Sequence, residues 1–452
     1  MTSPPRDVAP LPRRLMLIGV ADEDLEPIRR LAEASSLDLV QIGGYEEATD
    51  PLRCDPDRFI AEAVQSARSA ATPFDGIIQL DDYPSSMLTP IIAERLGLPA
   101  TSVRSVFRCE HKYWSRVLQR ETVPEAVPKF ELMPLAGPVR PPALSYPFWL
   151  KPVKSYMSYL GFRIGNEAEF ERAVERCRNE LPPFLAAFHR MLRFDAAPPG
   201  LDQVNGYNLI AEELMSGRQC CLEGYVHDGE VTVLGIVDSL RLPNRVSFTR
   251  FQYPSRIPAA AQRQMADIAC RVVAALGLDH TLFNIEMFWD PRRPAPMIIE
   301  VNSRLAAQFA DLFEKVDGLS TYKVLLDLAL GRKPRWTRRQ GKYRVAASFV
   351  LRTRQDRLVT RIPSDEEIAR AAELVPDLVF KPRALPGRRL SEWPQDSFTY
   401  RYGLIHVGGR DETDLKARFA LARSLLPFDL TNADESKSEA RPLPQRAAAT
   451  GD

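Results

Sequence analysis

The chain has 452 residues, 60 of them basic and 59 acidic, which is enough for about three domain-sized units. This balanced charge indicates neither a nucleic-acid footprint nor a polybasic membrane anchor. Its six cysteines include no C-x-x-C pair, so neither a disulfide framework nor a cysteine zinc site is expected. No apolar run reaches the length of a membrane span, and the first residues lack the apolar centre of a signal peptide. A cytoplasmic protein is predicted.

The first part of the chain alternates strands with helices. After a Pro-rich segment, 1–12, the runs LMLIGV, LDLVQI and GIIQL have strand composition. Helical spacing lies between them at 24–34 and again after Asp55, an N-cap residue followed by proline. Apolar strands that alternate with helices indicate a parallel sheet, and the turn after the first strand lacks the second and third glycines of a dinucleotide-binding loop. Asp81 and Asp82 end the third strand, where they would either bind a ligand or cap a helix.

Two lysines stand out in the next segment. Lys112 lies near the start of a predicted helix that ends before Val123, and taken alone it would be a solvated surface lysine. Lys151 lies inside the apolar run FWLKP, a predicted strand that follows a Pro-rich linker at 134–147. A lysine is rarely buried in such a strand without an anionic partner. A helix is predicted over 167–178.

The segment after a predicted loop at 195–206 has the pattern of a strand followed by a hairpin. The hairpin closes at Asp228-Gly229, a dipeptide typical of two-residue turns. The adjacent Cys220 and Cys221 are interpreted as small apolar residues of a strand. An amphipathic helix is predicted over 261–276, because its apolar residues recur at helical spacing until Gly277.

The most informative stretch is 281–304. Two apolar runs, LFNIEMFW and MIIEV, have strand composition, and the link between them has turn chemistry. Side chains alternate along a strand, so Glu300, Asn302 and Arg304 share one face. In a hairpin, Glu286 would lie across from Glu300 at roughly 5 Å between Cβ atoms, and the two carboxylates would need a cation. Their oxygens and that of Asn302 suit Mg²⁺; a solvated acidic face is the alternative.

The last third begins near Tyr343 and contains the strand-like runs VAASFVLR, DLVFKP and YGLIHVGG. A helix is predicted from about Asp414, and together these elements indicate a small α/β unit. His406 lies in an apolar strand and is interpreted as a packed histidine rather than a catalyst. The composition of 431–452 predicts a disordered tail, as does that of 1–12.

The pattern E-x-N-x-R on one strand, after an N-x-E strand, resembles the metal-binding signature of the ATP-grasp enzymes. The resemblance covers roughly 74–331 clearly and the last third more faintly. The expected fold class is α/β, with α+β character in the core. The predicted parts are a disordered tail (1–12), an N-terminal parallel-sheet domain (13–110), a two-lobed ATP-grasp core (111–340, divided near 195–206), a small C-terminal α/β domain (341–430) and a second tail (431–452).

The resemblance implies a role for each candidate residue. Arg304 and Lys151 would be catalytic, because they would stabilise the charge of the transferring group. The metal ligands, for Mg²⁺ or alternatively Mn²⁺, would be Glu286, Glu300 and Asn302. The residues expected to contact ATP are Lys112, Lys151, Ser158, Glu212, Glu213, Met215, Gln219 and Glu223. Of these, Glu213 and Met215 would use backbone groups to bind the edge of adenine.

The chain departs from the family pattern at three places. The loop at 154–158, expected to cover the phosphates, has the sequence KSYMS and lacks the usual glycines, so hydroxyls or Lys154 would replace backbone N–H contacts. Gln219 stands where the family often has a ribose-binding glutamate. Ala306 and Ala307 stand where a Gly-Gly pair commonly follows the metal strand.

The reaction implied by the resemblance is the ATP-dependent joining of a carboxylic acid, for example an amino acid, to an amine. It would proceed through an acyl phosphate and release ADP and phosphate. The expected partners are a small-molecule acid and a small-molecule amine, with no nucleic acid and no membrane; a homodimer is compatible with the sequence. Two alternatives stay open, namely a kinase of the same fold class and a non-catalytic ATP-binding protein.

Overall fold

The structure, a computed structural model, describes residues 12–31, 36–136, 144–156, 159–244, 246–393, 395–396 and 398–431. The two predicted tails, except for their innermost residues, and Ser158 lie outside the described residues. The described strands are β1 (Arg13–Ile18), β2 (Leu37–Gln41), β3 (Gly76–Gln79), β4 (Phe130–Pro134), β5 (Phe148–Pro152), β6 (Phe162–Ile164), β7 (Asn208–Glu213), β8 (Arg218–His227), β9 (Glu230–Arg241), β10 (Phe248–Tyr253), β11 (Thr281–Trp289), β12 (Met297–Asn302), β13 (Val345–Thr353), β14 (Leu358–Arg361), β15 (Val379–Pro382), β16 (Tyr400–Gly409) and β17 (Asp429–Thr431). The described α-helices are α1 (Asp22–Arg29), α2 (Tyr45–Thr49), α3 (Pro56–Ser69), α4 (Ser85–Leu96), α5 (Val103–Glu110), α6 (Lys112–Thr122), α7 (Glu167–Met191), α8 (Ala259–Leu276), α9 (Ala307–Asp317), α10 (Thr321–Ala329), α11 (Asp365–Leu374) and α12 (Glu412–Leu425).

The chain divides into two units. The first comprises Met1–Leu240 and Phe251–Ala346, and the second comprises Arg241–Arg250 and Ala347–Asp452. The domain boundaries expected from the sequence within the first unit, at 110 and near 195–206, stay predictions. Among the described residues, no helix is both long enough and apolar enough to cross a membrane.

The N-terminal sheet is parallel, with strand order β2-β1-β3. The carboxylate of Asp55 accepts hydrogen bonds from two backbone N–H groups at the start of α3, which begins at the proline as predicted. Gly76 begins β3, and a Cβ there would lie 2.2 Å from the carbonyl oxygen of Ala329. Glycine is therefore required for α10 to pack this closely on the sheet. The predicted parallel sheet is confirmed.

The first antiparallel sheet has the order β4-β7-β5-β6 and is accompanied by α7. This helix runs to Met191, so the predicted end at 178 was wrong. Pro182 and Pro183 lie inside the helix, where each removes a backbone hydrogen bond. The helix continues past them because it buries Leu181, Phe184 and the apolar residues that follow on the same face.

The second antiparallel sheet holds the informative hairpin. Within the first unit its strand order is β12-β11-β8-β9. Glu286 pairs with Glu300 in the β11–β12 register, as predicted, and a bulge follows directly after Glu286. Helix α8 buries the predicted apolar face and ends at Gly277, which has a positive φ of 71°. A parallel N-terminal sheet beside antiparallel core sheets confirms the expected fold class.

The second unit has its own strands and helices. Strand β15 pairs with β16, β14 pairs with β17, and both pairs are antiparallel. Helix α12 packs on β16, which carries His406 as a buried residue. The predicted α/β character of this region is therefore confirmed, and His406 is packed as expected.

Candidate functional site

Lys112 contacts the β11–β12 hairpin directly. Helix α6 begins at Lys112, whose Nζ lies 3.1 Å from Oε2 of Glu300 and donates to the carbonyl oxygen of Ser155 at 2.9 Å. Burial alone would raise the pKa of the Glu300 carboxyl, but the ammonium groups of Lys112 and Lys151 outweigh it, so this pKa is lowered. Glu300 is therefore an anion at neutral pH, as a metal ligand must be.

Lys151 belongs to a buried triad of charged side chains. Its Nζ lies 2.7 Å from Oε2 of Glu212, and Nε of Arg116 lies 2.6 Å from Oε1 of the same carboxylate. Lys151, Glu212 and Arg116 are 7%, 1% and 2% exposed. The lysine thus has a protein anion as partner, which the sequence did not indicate. Arg116 also donates to the carbonyl oxygen of Ile299 at 2.7 Å, which joins α6 to the metal strand β12.

Burial and charge act in opposite directions on the triad. Burial raises the pKa of Glu212, but Arg116 and then Lys151 lower it by more, to about 2. Burial lowers the pKa of Lys151, and Glu212 opposes that shift only in part because Arg116 and Lys112 repel the same charge. Arg116 is therefore the main partner of Glu212. Of the two cations, the ammonium of Lys151 is the one better placed to leave Glu212 and pair with a phosphate.

The low pKa of Glu212 predicts a loss of stability in acid. A pKa of about 2 in the folded protein lies below the ordinary value of 4.5, so the carboxylate stabilises the fold above pH 4.5. That contribution declines as the pH falls from 4.5 towards 2. We expect the wild-type protein to lose on the order of 2 kcal/mol more between pH 6 and pH 3 than a Glu212→Gln variant. Urea unfolding at both pH values measures this difference; equal losses would contradict the assignment.

A second network joins Asp82, at the end of the N-terminal sheet, to the hairpin. Nε of Arg304 lies 3.1 Å from Oδ2 of Asp82, and Nζ of Lys154 lies 3.2 Å from Oδ1. Lys154 also pairs with Glu110. Burial would raise the pKa of Asp82, but Arg304 and Lys154 hold it well below its usual range. Asp82 therefore holds Arg304 in place, and the N-cap residue of α4 is Pro84 rather than either aspartate.

The remaining residues of the hairpin make two separate sets of hydrogen bonds. Oε2 of Glu286 accepts from the Gln219 amide at 2.8 Å. The Asn302 amide donates to Asn284 at 3.1 Å, and Asn284 in turn donates to Glu223. Burial raises the pKa of Glu223 to about 8.

These contacts provide a test of whether the site suits Mg²⁺. With its amide nitrogen engaged, Asn302 offers its oxygen to a cation. The carboxylates of Glu286 and Glu300, paired in register, add further hard donors. The residues therefore fit Mg²⁺.

The other predicted nucleotide residues lie where β7 ends. The N–H of Glu213 donates to the carbonyl oxygen of Lys129 at 2.8 Å, and its carboxylate pairs with Arg293. Met215 is half-buried, and the use of its backbone and that of Glu213 to bind adenine stays a prediction. The side chain of Glu212 contacts Arg116 and Lys151 instead.

Four residues of these networks were not predicted from the sequence, namely Arg116, Glu110, Asn284 as a hydrogen-bond partner and Asp82 as the partner of Arg304. Arg116 had a usable signal, because it lies one helical turn after Lys112 and therefore on the same face of α6. Glu110 had no such signal. Its partner, Lys154, is distant along the chain, and the contact depends on the packing of separate elements.

Comparison with known proteins gives matches in both sequence and fold. Residues 144–311 match the family model of the ATP-grasp domain. Carnosine synthase 1 of Gallus gallus is 29% identical over 146 residues, which cover 32% of this chain and only 15% of that protein.

The similarity of fold covers more of the chain. An L-amino acid ligase from Bacillus licheniformis has a TM-score of 0.67 and 18% identity, over 93% of this chain and 99% of that one. Biotin carboxylase from Campylobacter jejuni, in complex with β,γ-ATP, has a TM-score of 0.62 and 14% identity, over 92% of each chain. The resemblance carried by the E-x-N-x-R strand is thereby confirmed. Residues 144–311 thus match the ATP-grasp domain, and the fold of the chain is similar to that of the L-amino acid ligase and the biotin carboxylase.

Proposed function

We propose that the protein is an ATP-dependent ligase that joins a carboxylic acid, for example an amino acid, to an amine and releases ADP and phosphate. One observation carries the proposal: Lys112 lies 3.1 Å from Glu300 on a hairpin that also presents Arg304 to Asp82. Three kinds of group therefore meet at one place. They are lysines suited to bind phosphates, carboxylates suited to bind a metal, and an arginine suited to bind the acid. The similarity to carnosine synthase 1 and to an L-amino acid ligase supports the same reading.

The nucleotide would lie between the two lysines and the hairpin. Lys112 and Lys151 would turn from Glu300 and Glu212 to the phosphates, since their present partners are carboxylates that phosphate oxygens can replace. Glu286, Glu300 and Asn302 would hold Mg²⁺, with Mn²⁺ as an alternative. When bound, the metal would neutralise charge on the phosphate oxygens. Backbone groups of Glu213 and Met215 would bind adenine.

The chemistry is assigned to the substrates themselves. An oxygen of the acid's carboxylate attacks the γ-phosphorus, the bond to the β–γ bridging oxygen breaks, and ADP leaves. The amine then attacks the carbonyl carbon of the acyl phosphate, loses a proton, and phosphate leaves with the C–O bond electrons. Arg304, positioned by Asp82, stabilises the oxyanion at that carbon. Water must be excluded, because it would hydrolyse the acyl phosphate.

The test is to trap the acyl phosphate with hydroxylamine in place of the amine. Enzyme, Mg-ATP and each member of a panel of small carboxylic acids and amino acids would be incubated together, and nucleotide, phosphate and product mass measured. We expect a working acid to give ADP, phosphate and an acyl hydroxamate in equal amounts. AMP with pyrophosphate would overturn the mechanism, and ADP with a phosphorylated alcohol would indicate a kinase. ATP binding without any turnover across the panel would favour the non-catalytic alternative.

A further inference from the structure

Two histidines and an aspartate meet at the end of β8. His227 is the last residue of β8, Asp228 begins the turn to β9, and His280 directly precedes β11. Strands β8 and β11 are antiparallel, with Val226 opposite Thr281. His227 follows Val226 and His280 precedes Thr281, so the two histidines lie next to the same residue pair. Their ring centroids lie 5.1 Å apart.

The donor atoms are spaced as in a metal centre. Nδ1 of His227 lies 3.3 Å from one carboxylate oxygen of Asp228, and Nε2 of His280 lies 3.3 Å from the other. One ligand atom from each of the three residues lies within 4.8 Å of the other two. Around a tetrahedral zinc ion with bonds of about 2.0–2.1 Å, ligand atoms lie about 3.3 Å apart. Each of the two nitrogen–carboxylate separations therefore has the length found around a shared zinc ion.

No hydrogen bond on the side away from Asp228 fixes the orientation of the two rings. Nε2 of His227 and Nδ1 of His280 are buried, and neither has a hydrogen-bond partner among the described residues. Asp228 has an exposed side chain (74%), and an exposed ion pair contributes little to stability. The contacts with Asp228 therefore give the fold little reason to gather two histidines on one carboxylate.

We propose that His227, Asp228 and His280 bind a zinc ion, with water as the fourth ligand. Two imidazoles and one carboxylate form a borderline donor set typical of zinc, in contrast to the all-oxygen set of the hairpin. The exposure of Asp228 gives the ion a path from solvent. The ion would join the β8–β9 turn to the start of β11, the strand that carries Glu286, and so act as a cross-link. This proposal does not depend on the proposed function.

The left-handed backbone at Asp228 makes a clean variant available. Asp228 has a φ of 51° and is followed by Gly229 with a φ of 74°, as in the tight turns that favour Asn or Asp with Gly. Asp228→Asn keeps this turn and removes the anionic ligand. His280→Ala removes one imidazole. The matched control is His189→Ala, because His189 is an exposed histidine on α7, whereas His111 and His406 are buried.

The experiment titrates the full chain with Zn²⁺ as the only probe. Excess Mg²⁺ and a Glu300→Gln background keep the hairpin carboxylates from competing for the zinc. Calorimetry should give one equivalent of zinc, with at least about tenfold weaker binding in Asp228→Asn and in His280→Ala and no change in His189→Ala. Zinc should raise the melting temperature of the wild type but not of the two site variants. Co²⁺ should give the strong visible absorption of a tetrahedral site.

Each other outcome counts against the proposal. Zinc uptake that is equal in the wild type and in both site variants would place the ion elsewhere, and no saturable uptake would dismiss the site. Circular dichroism shows whether each variant is folded; Asp228→Asn serves as the deciding variant should His280→Ala unfold.

Discussion

A Glu300→Gln variant should lose ATP-dependent phosphate release by about a thousandfold while its fold stays intact. The substitution keeps the size of the side chain and removes its charge, which the proposed metal site requires. It also removes the ion pair with Lys112, in which Glu300 is partly exposed, so the cost in folding stability should be small. ATP should still bind, though more weakly, through Lys151 and the backbone at the end of β7.

The measurement is phosphate release with a working acid and amine at ordinary Mg²⁺ concentration, beside ATP binding by calorimetry. Glu125→Gln is the matched control, because Glu125 pairs with Arg271 in an exposed ion pair and has no proposed role. It should retain wild-type turnover. If Glu300→Gln released phosphate at the wild-type rate, the assignment of the hairpin carboxylates to a metal would be wrong, whatever its effect on nucleotide affinity.

The hairpin could be predicted because its information is local. Alternation of apolar and polar residues fixes which side chains share a face, and a one-residue slip would turn every one of them over. The observed pairing of Glu286 with Glu300 agrees with the prediction. The bulge after Glu286 was not predicted, since apolar residues continue on both sides of it and the pattern contains no glycine to mark the extra residue.

The ion-pair networks could not be predicted, because their partners come from distant parts of the chain. Arg304 and Asp82 are 222 residues apart, and Arg116 and Glu212 are 96 apart. Such pairs depend on how separate sheets and helices pack, for which a periodic pattern carries no information. For Lys151 the sequence indicated that an anion was needed, yet only the structure identifies Glu212 as that anion.

The pairing of Arg304 with Asp82 leads to a prediction about the acid rather than the nucleotide. An Arg304→Lys variant should lose turnover by roughly a hundredfold to a thousandfold, the effect of removing one oxyanion donor. Arg304 contacts Asp82 through its guanidinium, whose planar fork of donors can hold Asp82 and a substrate oxygen at once. An ammonium at this position is a point charge and would be drawn to Asp82 alone.

The division of this loss between kcat and KM decides where Arg304 acts. If Arg304 stabilises charge on the acid, kcat should carry the loss and the KM for ATP should change by no more than a few-fold. Steady-state kinetics with ATP varied at saturating acid and amine measures both constants, and Arg271→Lys, in the exposed pair with Glu125, is the matched control. A loss confined to the KM for ATP would mean that Arg304 binds the triphosphate. In that case Asp82, the partner of Arg304 in this structure, would be the residue that gives way to a phosphate, and the acid would have to bind elsewhere.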